Sequence, residues 1–237
     1  MNVHFLTILA VWLVNLTTPF GPSQSQSLNG TWRLHDAPGT TVVLTIADGY
    51  LIQTTYETTR FSATRGGTFQ RAGNTINLLV EFDTADSSRV GQTESQPVTL
   101  RNNTLTISGS TKNQLFDRVD ETPTLLTGLW RITGRANEAG QLNDMQRGPR
   151  KTIKLLTGSR FQWVAINPQT RQFFGTGGGT YTLNDGQYTE TIDFFPRDNS
   201  RVGRSLTFEA TVSPDEWLHR GKSSTGNPIS ERWSRDK

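Results

Sequence analysis

From about residue 28 onward, apolar residues recur at every second position rather than every third or fourth, the spacing of strands that bury one face. Val42, Leu44 and Ile46 alternate with polar or neutral neighbours, and Tyr50, Ile52 and Thr54 follow the Asp48-Gly49 turn. Ile76, Leu78, Val80 and Phe82 alternate with Asn77 and Glu81, while Leu105 and Ile107 alternate with three polar residues after the Asn102-Asn103 turn. Only Ala136 to Gln146 leaves room for a short helix. The pattern predicts an all-β chain of short antiparallel strands, built either as a sandwich or as an up-and-down barrel.

The amino terminus breaks this rule. Phe5 to Leu16 is a largely apolar run of twelve residues, shorter than the roughly 20 residues needed to span a bilayer. Thr17 to Ser27 follows with Pro, Gly and small serines, and residues 1 to 27 hold no Asp, Glu, Lys or Arg. Residues 1–27 are therefore expected to be a signal peptide, and the protein to be secreted or periplasmic, with no stable membrane insertion after cleavage. Met1 to His4 lacks a basic residue, which leaves an uncleaved anchor as the alternative.

The chain also repeats itself. Leu28-Asn29-Gly30-Thr31-Trp32-Arg33-Leu34 returns as Leu126-Thr127-Gly128-Leu129-Trp130-Arg131-Ile132, 98 positions later. Phe61 to Gly91 aligns without a gap on Phe173 to Gly203, with 11 of 31 positions identical, at an offset of 112. The ends, Phe116-Asp117-Arg118 and Trp233-Ser234-Arg235, are 117 apart. The growing offset places two insertions in the second copy, the larger around Ala136 to Arg150. The expected organisation is a first domain over 28–120, a linker over 121–125 and a second domain over 126–237. A five-residue linker containing Pro123 allows the copies little independent motion.

Composition narrows the function. The 237 residues include no cysteine, which excludes disulfides, thiolate metal sites and a lipoprotein anchor. Hydrophobic residues make up 33% and mean hydropathy is -0.51, too polar for a multi-span membrane protein. A net charge of +3 on a chain that is 19% charged does not describe a nucleic-acid binder. The charge is uneven, however: the first copy has eight Lys/Arg against nine Asp/Glu, the second sixteen against eleven.

Each copy opens with Gly-x-Trp (Gly30, Trp32; Gly128, Trp130) and ends with an arginine on its last strand (Arg118; Arg235). This pairing resembles the lipocalin pattern. The second copy, with Gly177 to Tyr181, Tyr188 to Glu190 and Glu231 to Arg235, is similar to the small lipocalin-like domains of secreted bacterial proteins. The resemblance implies two tandem antiparallel up-and-down lipocalin-like β-barrels. It also implies that each tryptophan closes one barrel end beneath its arginine, an arrangement that gains roughly 0.5 to 2 kcal/mol when desolvated.

Each copy serves as a control for the other. Ile76, Leu78, Val80 and Phe82 become Tyr188, Glu190, Ile192 and Phe194; Leu105 and Ile107 become Trp217 and His219; Phe69 becomes Tyr181. By the same comparison Tyr50 and Ile52 are matched to Phe161 and Trp163. If these faces point inward, the second interior exchanges aliphatic groups for a carboxylate and an imidazole. A buried carboxylate demands partners. Two readings follow: an internal network serving stability, or a ligand site lined by Trp163, Tyr181, Tyr188 and Trp217 with Glu190 and His219 as its convergent polar groups. The second reading expects a small, partly aromatic or cationic ligand; the competing class is a structural module, for protein or glycan contacts, with both barrels filled.

No nucleophile elbow, phosphate loop or metal-spaced cluster is present, so neither catalysis, a cofactor nor a metal is expected. Gly175-Thr176-Gly177-Gly178-Gly179 lacks the Lys-Ser/Thr of a phosphate loop and reads instead as a strand bend where side chains would crowd. The repeated Asp-Ser-Ser-Arg-Val-Gly (86 to 91) and Asp-Asn-Ser-Arg-Val-Gly (198 to 203) predict loops in which the aspartate accepts backbone N–H groups.

Overall fold

The structure is a computed structural model describing residues 27–35, 37–119, 122–223 and 225–236; the expected signal peptide lies almost wholly outside them. Eight strands, β1 (Gly30–Leu34), β2 (Thr41–Ala47), β3 (Tyr50–Glu57), β4 (Arg60–Ala72), β5 (Thr75–Asp83), β6 (Thr93–Arg101), β7 (Thr104–Ile107) and β8 (Gln114–Arg118), pair antiparallel in sequence order. β8 returns to β1, with Arg118 opposite Trp32, and the barrel is closed.

The second copy repeats this with β9 (Gly128–Ala136), β11 (Lys151–Leu156), β12 (Arg160–Asn167), β13 (Gln172–Asn184), β14 (Gln187–Phe194), β15 (Ser205–Val212), β16 (Glu216–Lys222) and β17 (Pro228–Arg235). β17 closes onto β9 with Arg235 opposite Trp130. The larger insertion holds no helix. It forms a further strand, β10 (Leu142–Asp144), which hairpins onto the end of β9 beyond the residues that pair with β11. Asn137 and Gly140, with φ of +78° at Gly140, make the turn that a helix there would have had to lose.

Both ends close as the Gly-x-Trp pattern implied. The guanidinium of Arg118 lies 3.9 Å from the centre of the Trp32 ring, and that of Arg235 3.9 Å from Trp130. Each indole N–H donates to the carbonyl four residues earlier, Leu28 or Leu126. The two repeated loops are also alike: Asp86 and Asp198 each accept the backbone N–H and the hydroxyl of the serine two residues on. Crowding explains the glycine runs. A Cβ on Gly67 or Gly179 would stand 1.9 Å from a carbonyl oxygen of the neighbouring strand.

The inward face of β3 is not the one that alternation predicts. Leu51, not Tyr50 or Ile52, points into the first barrel, and the strand registers match Leu51 to Phe161 and Gln53 to Trp163. Tyr50, Ile52, Ala47 and Phe82 instead pack outward, against Leu129, Ile153, Leu155, Val164 and Ile166 of the other barrel. Phe194 likewise leaves the interior to join Tyr56, Val43 and Phe61 between the barrels. A one-residue slip reverses every side chain of a strand, and here both faces are buried, so alternation could not decide.

Polar groups complete this junction. Gln162 accepts from Thr54 at 2.8 Å and donates to Thr64 and Thr176. Lys151 and Tyr50 both reach Glu81, while Arg160 joins Asp193 and Tyr56. The copies therefore form one body through a buried interface.

Candidate functional site

The interior of the second barrel is layered. At the closed end, Trp217 packs edge-on to Trp130 at 6.1 Å and to Tyr188 at 5.1 Å, and Tyr181 lies tilted against Tyr188 at 5.5 Å. Trp217 and Tyr188 are wholly buried, and the Tyr181 hydroxyl donates to the Thr157 carbonyl. These three residues do not line the open space above them. That space is a cavity of about 500 Å³, lined by Trp163, Glu190 and His219 among the expected residues.

Its floor is ionic. Glu190 projects inward from β14, where Leu78 stands in the first barrel, and its Oε1 accepts from Lys154 Nζ at 2.7 Å and from the Tyr188 hydroxyl at 2.9 Å. Lys154 lies on β11 and the registers match it to Leu44. The side chains of Lys154 and Glu190 are only 5% and 9% exposed. The ammonium sits 5.0 to 5.6 Å from the ring centres of Phe161, Tyr188, Trp217 and Trp233, an aromatic cage that compensates part of its lost hydration. Burial pushes the Tyr188 phenol well above its ordinary range, helped by the charge and hydrogen bond of Glu190.

A second pair stands beside it. His219 Nε2 is 2.9 Å from Glu231, whose other oxygen receives Arg135 at 2.6 Å. Burial lowers the pKa of His219, so its neutral form donates from Nε2 and leaves Nδ1 a bare acceptor. Among the described residues Nδ1 is buried with no hydrogen-bond partner, as is Trp217 Nε1. Burial alone would raise the Glu231 carboxyl, but the His219 hydrogen bond and the nearby Arg135 and Lys154 charges hold it down to about 2.

The walls are Phe161, Trp163, Ile192, Phe195 and Phe208, and the cavity reaches solvent past Arg135, Arg150 and Arg197, all exposed. The repeat explains why space exists here. In the first barrel a mutually paired cluster, Arg65, Asp83, Arg89 and Glu94, occupies the corresponding region. At the 112 offset Arg65, Asp83 and Glu94 become Gly177, Phe195 and Leu206, and all three line the cavity. Below that cluster the first interior is packed with aliphatic groups around Trp32 and Phe116.

Lys154, Glu231 and the mouth arginines did not emerge from the sequence. A lysine flanked by Ile153, Leu155 and Leu156 was the available signal, since a charge inside an apolar run on a doubly buried strand has no solvated face to occupy. These cations also change the expected ligand. Four cationic side chains line the cavity against two carboxylates, each already paired, so its electrostatics oppose a cationic guest. Among the described residues no group of three or more His, Asp or Glu is placed to hold a metal, and no helix is long and apolar enough to cross a membrane.

The fold is a tandem of two closed eight-stranded up-and-down barrels with lipocalin-like topology, the first filled by aliphatic groups and an ion cluster and the second hollow and charged. No family model matches the sequence, and no curated protein does. Among solved structures the chain is similar to a lipocalin-like protein from Bacteroides uniformis ATCC 8492, at 14% identity and a TM-score of 0.33, covering 48% of this chain and 100% of that one. It is similar also to a redesigned beta barrel, at 18% identity and a TM-score of 0.31, covering 48% of this chain and 93% of that one.

Proposed function

We propose that the second barrel binds a small molecule without chemical conversion and that the first barrel is its filled structural sibling. The cavity carries this reading: about 500 Å³, with aromatic and aliphatic walls and charged groups at its floor and mouth, within the roughly 300 to 1,000 Å³ usual for ligand pockets. Native mass spectrometry of the protein purified from its source tests it. A co-purifying mass retained by the wild type and lost on Ile192→Trp, which fills the space, supports it; a ligand-free protein that no small molecule stabilises against heat overturns it.

A structural reading keeps one observation in its favour. Glu190 is hydrogen-bonded by Lys154 and Tyr188, so the network is closed without a guest. Under that reading the surface does the work, and the Ile192→Trp variant would keep every activity of the protein. Export to the periplasm or beyond the cell belongs to the same proposal, resting on Phe5 to Leu16 and Thr17 to Ser27. Amino-terminal sequencing of exported material should begin near Ser23 to Leu28, and an intact Met1 in the membrane fraction would overturn it.

A further inference from the structure

We propose that the ligand of the second barrel is an organic anion with a flat apolar body, its charged group held at the cavity mouth by Arg150 and Arg197. The inference rests on the binding reading above and adds the class of guest.

The argument begins with which charges are spent. Lys154 is paired with Glu190 and Arg135 with Glu231. Arg150 and Arg197, the other two cations lining the cavity, have no carboxylate partner among the described residues. Both nevertheless converge on Phe174. The Arg150 guanidinium lies 4.3 Å from the centre of its ring, and Arg197 Nη2 donates to its carbonyl oxygen at 2.5 Å. Arg197 also lies so close to the Gly175 backbone that a Cβ there would stand 3.0 to 3.3 Å from the guanidinium. Two exposed arginines anchored at one residue, without counter-ions, lose little further freedom on capturing an anion, and guanidinium geometry suits carboxylate, sulfonate or phosphate oxygens.

The sibling barrel shows that this arrangement belongs to the hollow copy. By strand register and the 112 offset, Arg150, Phe174 and Arg197 stand where the first copy has Thr40, Ser62 and Ala85. The copy that has Gly177, Phe195 and Leu206 in place of the Arg65, Asp83 and Glu94 plug thus also carries two cations without a carboxylate partner at the opening. Just inside, Trp163 and Phe195 lie 6.2 Å apart, and the missing side chain of Gly177 leaves them room. Flat rings fit such a wall better than a branched or fully hydrated guest.

Two probes with the same body separate the charge from the cavity: 1-anilinonaphthalene-8-sulfonate and its sulfonate-free parent, N-phenyl-1-naphthylamine. Titrations of the full two-barrel protein by fluorescence should show the sulfonate binding at least tenfold tighter than the parent, with the advantage shrinking as salt is added. Arg150→Gln/Arg197→Gln should weaken the sulfonate about tenfold and leave the parent within twofold, whereas Arg101→Gln, on the first barrel, should change neither. Ile192→Trp should abolish both, with Leu206→Phe as the alternative block if that variant does not fold. Equal affinities for the two probes, both lost on blocking the cavity, would overturn the anion class while the binding reading stands. Absence of binding, or binding indifferent to either blocking variant, would overturn both.

Discussion

Lys154 and Glu190 replace Leu44 and Leu78 of the sibling barrel, which makes a double-mutant cycle on the pair a direct measure of what the charged floor contributes. At 2.7 Å and an effective dielectric near 20, the two charges attract by roughly 6 kcal/mol. Lost hydration of several kcal/mol per ion cancels most of that. Removing one partner is different, because the remaining charge stays buried. Glu190→Leu leaves the ammonium with only its four rings, and a cost of about 3 to 5 kcal/mol follows. Lys154→Leu leaves Glu190 with the Tyr188 hydroxyl and costs about as much, since both side chains line the cavity and water reaches either. The double variant restores the sibling's aliphatic pair and should lie within about 1 kcal/mol of wild type, or above it. Urea unfolding followed by tryptophan fluorescence suits the test, since Trp130, Trp163, Trp217 and Trp233 all report on this barrel. Additive single effects, with the double variant the least stable of the three, would refute the account of a coupled buried pair.

Acid should weaken the fold in two stages, which overlap because His219 and Glu231 are hydrogen-bonded to each other. His219 has its pKa lowered from the ordinary 6.5, so the stability it contributes is present above that value and declines as pH falls below it. Glu231, lowered from 4.5 to about 2, contributes about 3 kcal/mol that is present above 4.5 and lost progressively towards 2. Thermal melts of His219→Ile, the sibling's residue, should lack the first stage; an unchanged profile would show that His219 is not buried neutral. Gly179→Ala, whose Cβ would stand 1.9 Å from the Thr191 carbonyl, should cost more than about 4 kcal/mol or prevent folding, and Gly67→Ala should match it. Wild-type-like melting of either would contradict the strand spacing. Arg118→Ala removes the cation over Trp32 and its hydrogen bonds to the Asn29 and Ser27 carbonyls, for a loss of about 2 kcal/mol by calorimetry. A stability equal to wild type would mean the arginine does not clasp the barrel.

The barrels were legible because two signals agreed: alternation gave strands, and the repeat showed that Trp32 and Arg118 had matched counterparts in Trp130 and Arg235. Alternation failed where a strand is buried on both faces. β3 runs Tyr-Leu-Ile with all three residues buried, and only the partner barrel reveals which of them faces inward. Matching copies by identity was safe where the offset was fixed, as for Glu190, Trp217 and His219. It slipped by one at Phe161, in a stretch without identities to anchor it. Lys154 was hidden for the same reason, since its equivalence to Leu44 appears only through strand register. The cavity needed the other copy for comparison: Gly177, Phe195 and Leu206 carry no signal until they are set against the ion cluster at the matched positions.

The interface between the copies alters how the second barrel can evolve. A hollow interior, a buried ion pair and two unsatisfied nitrogens each subtract from the stability of the domain that holds them. In a solitary barrel of this size they would bring the fold close to the threshold below which substitutions are purged. Here Ile153, Leu155, Val164 and Ile166 lie against the filled barrel, and burying each such side chain contributes roughly 1.5 to 3 kcal/mol. Unfolding the second copy means exposing that surface, so the sibling's packing acts as a reserve on which its neighbour draws. Selection can then rework the cavity through substitutions that a lone barrel would not survive, and the filled duplicate sets how far the hollow one can diversify.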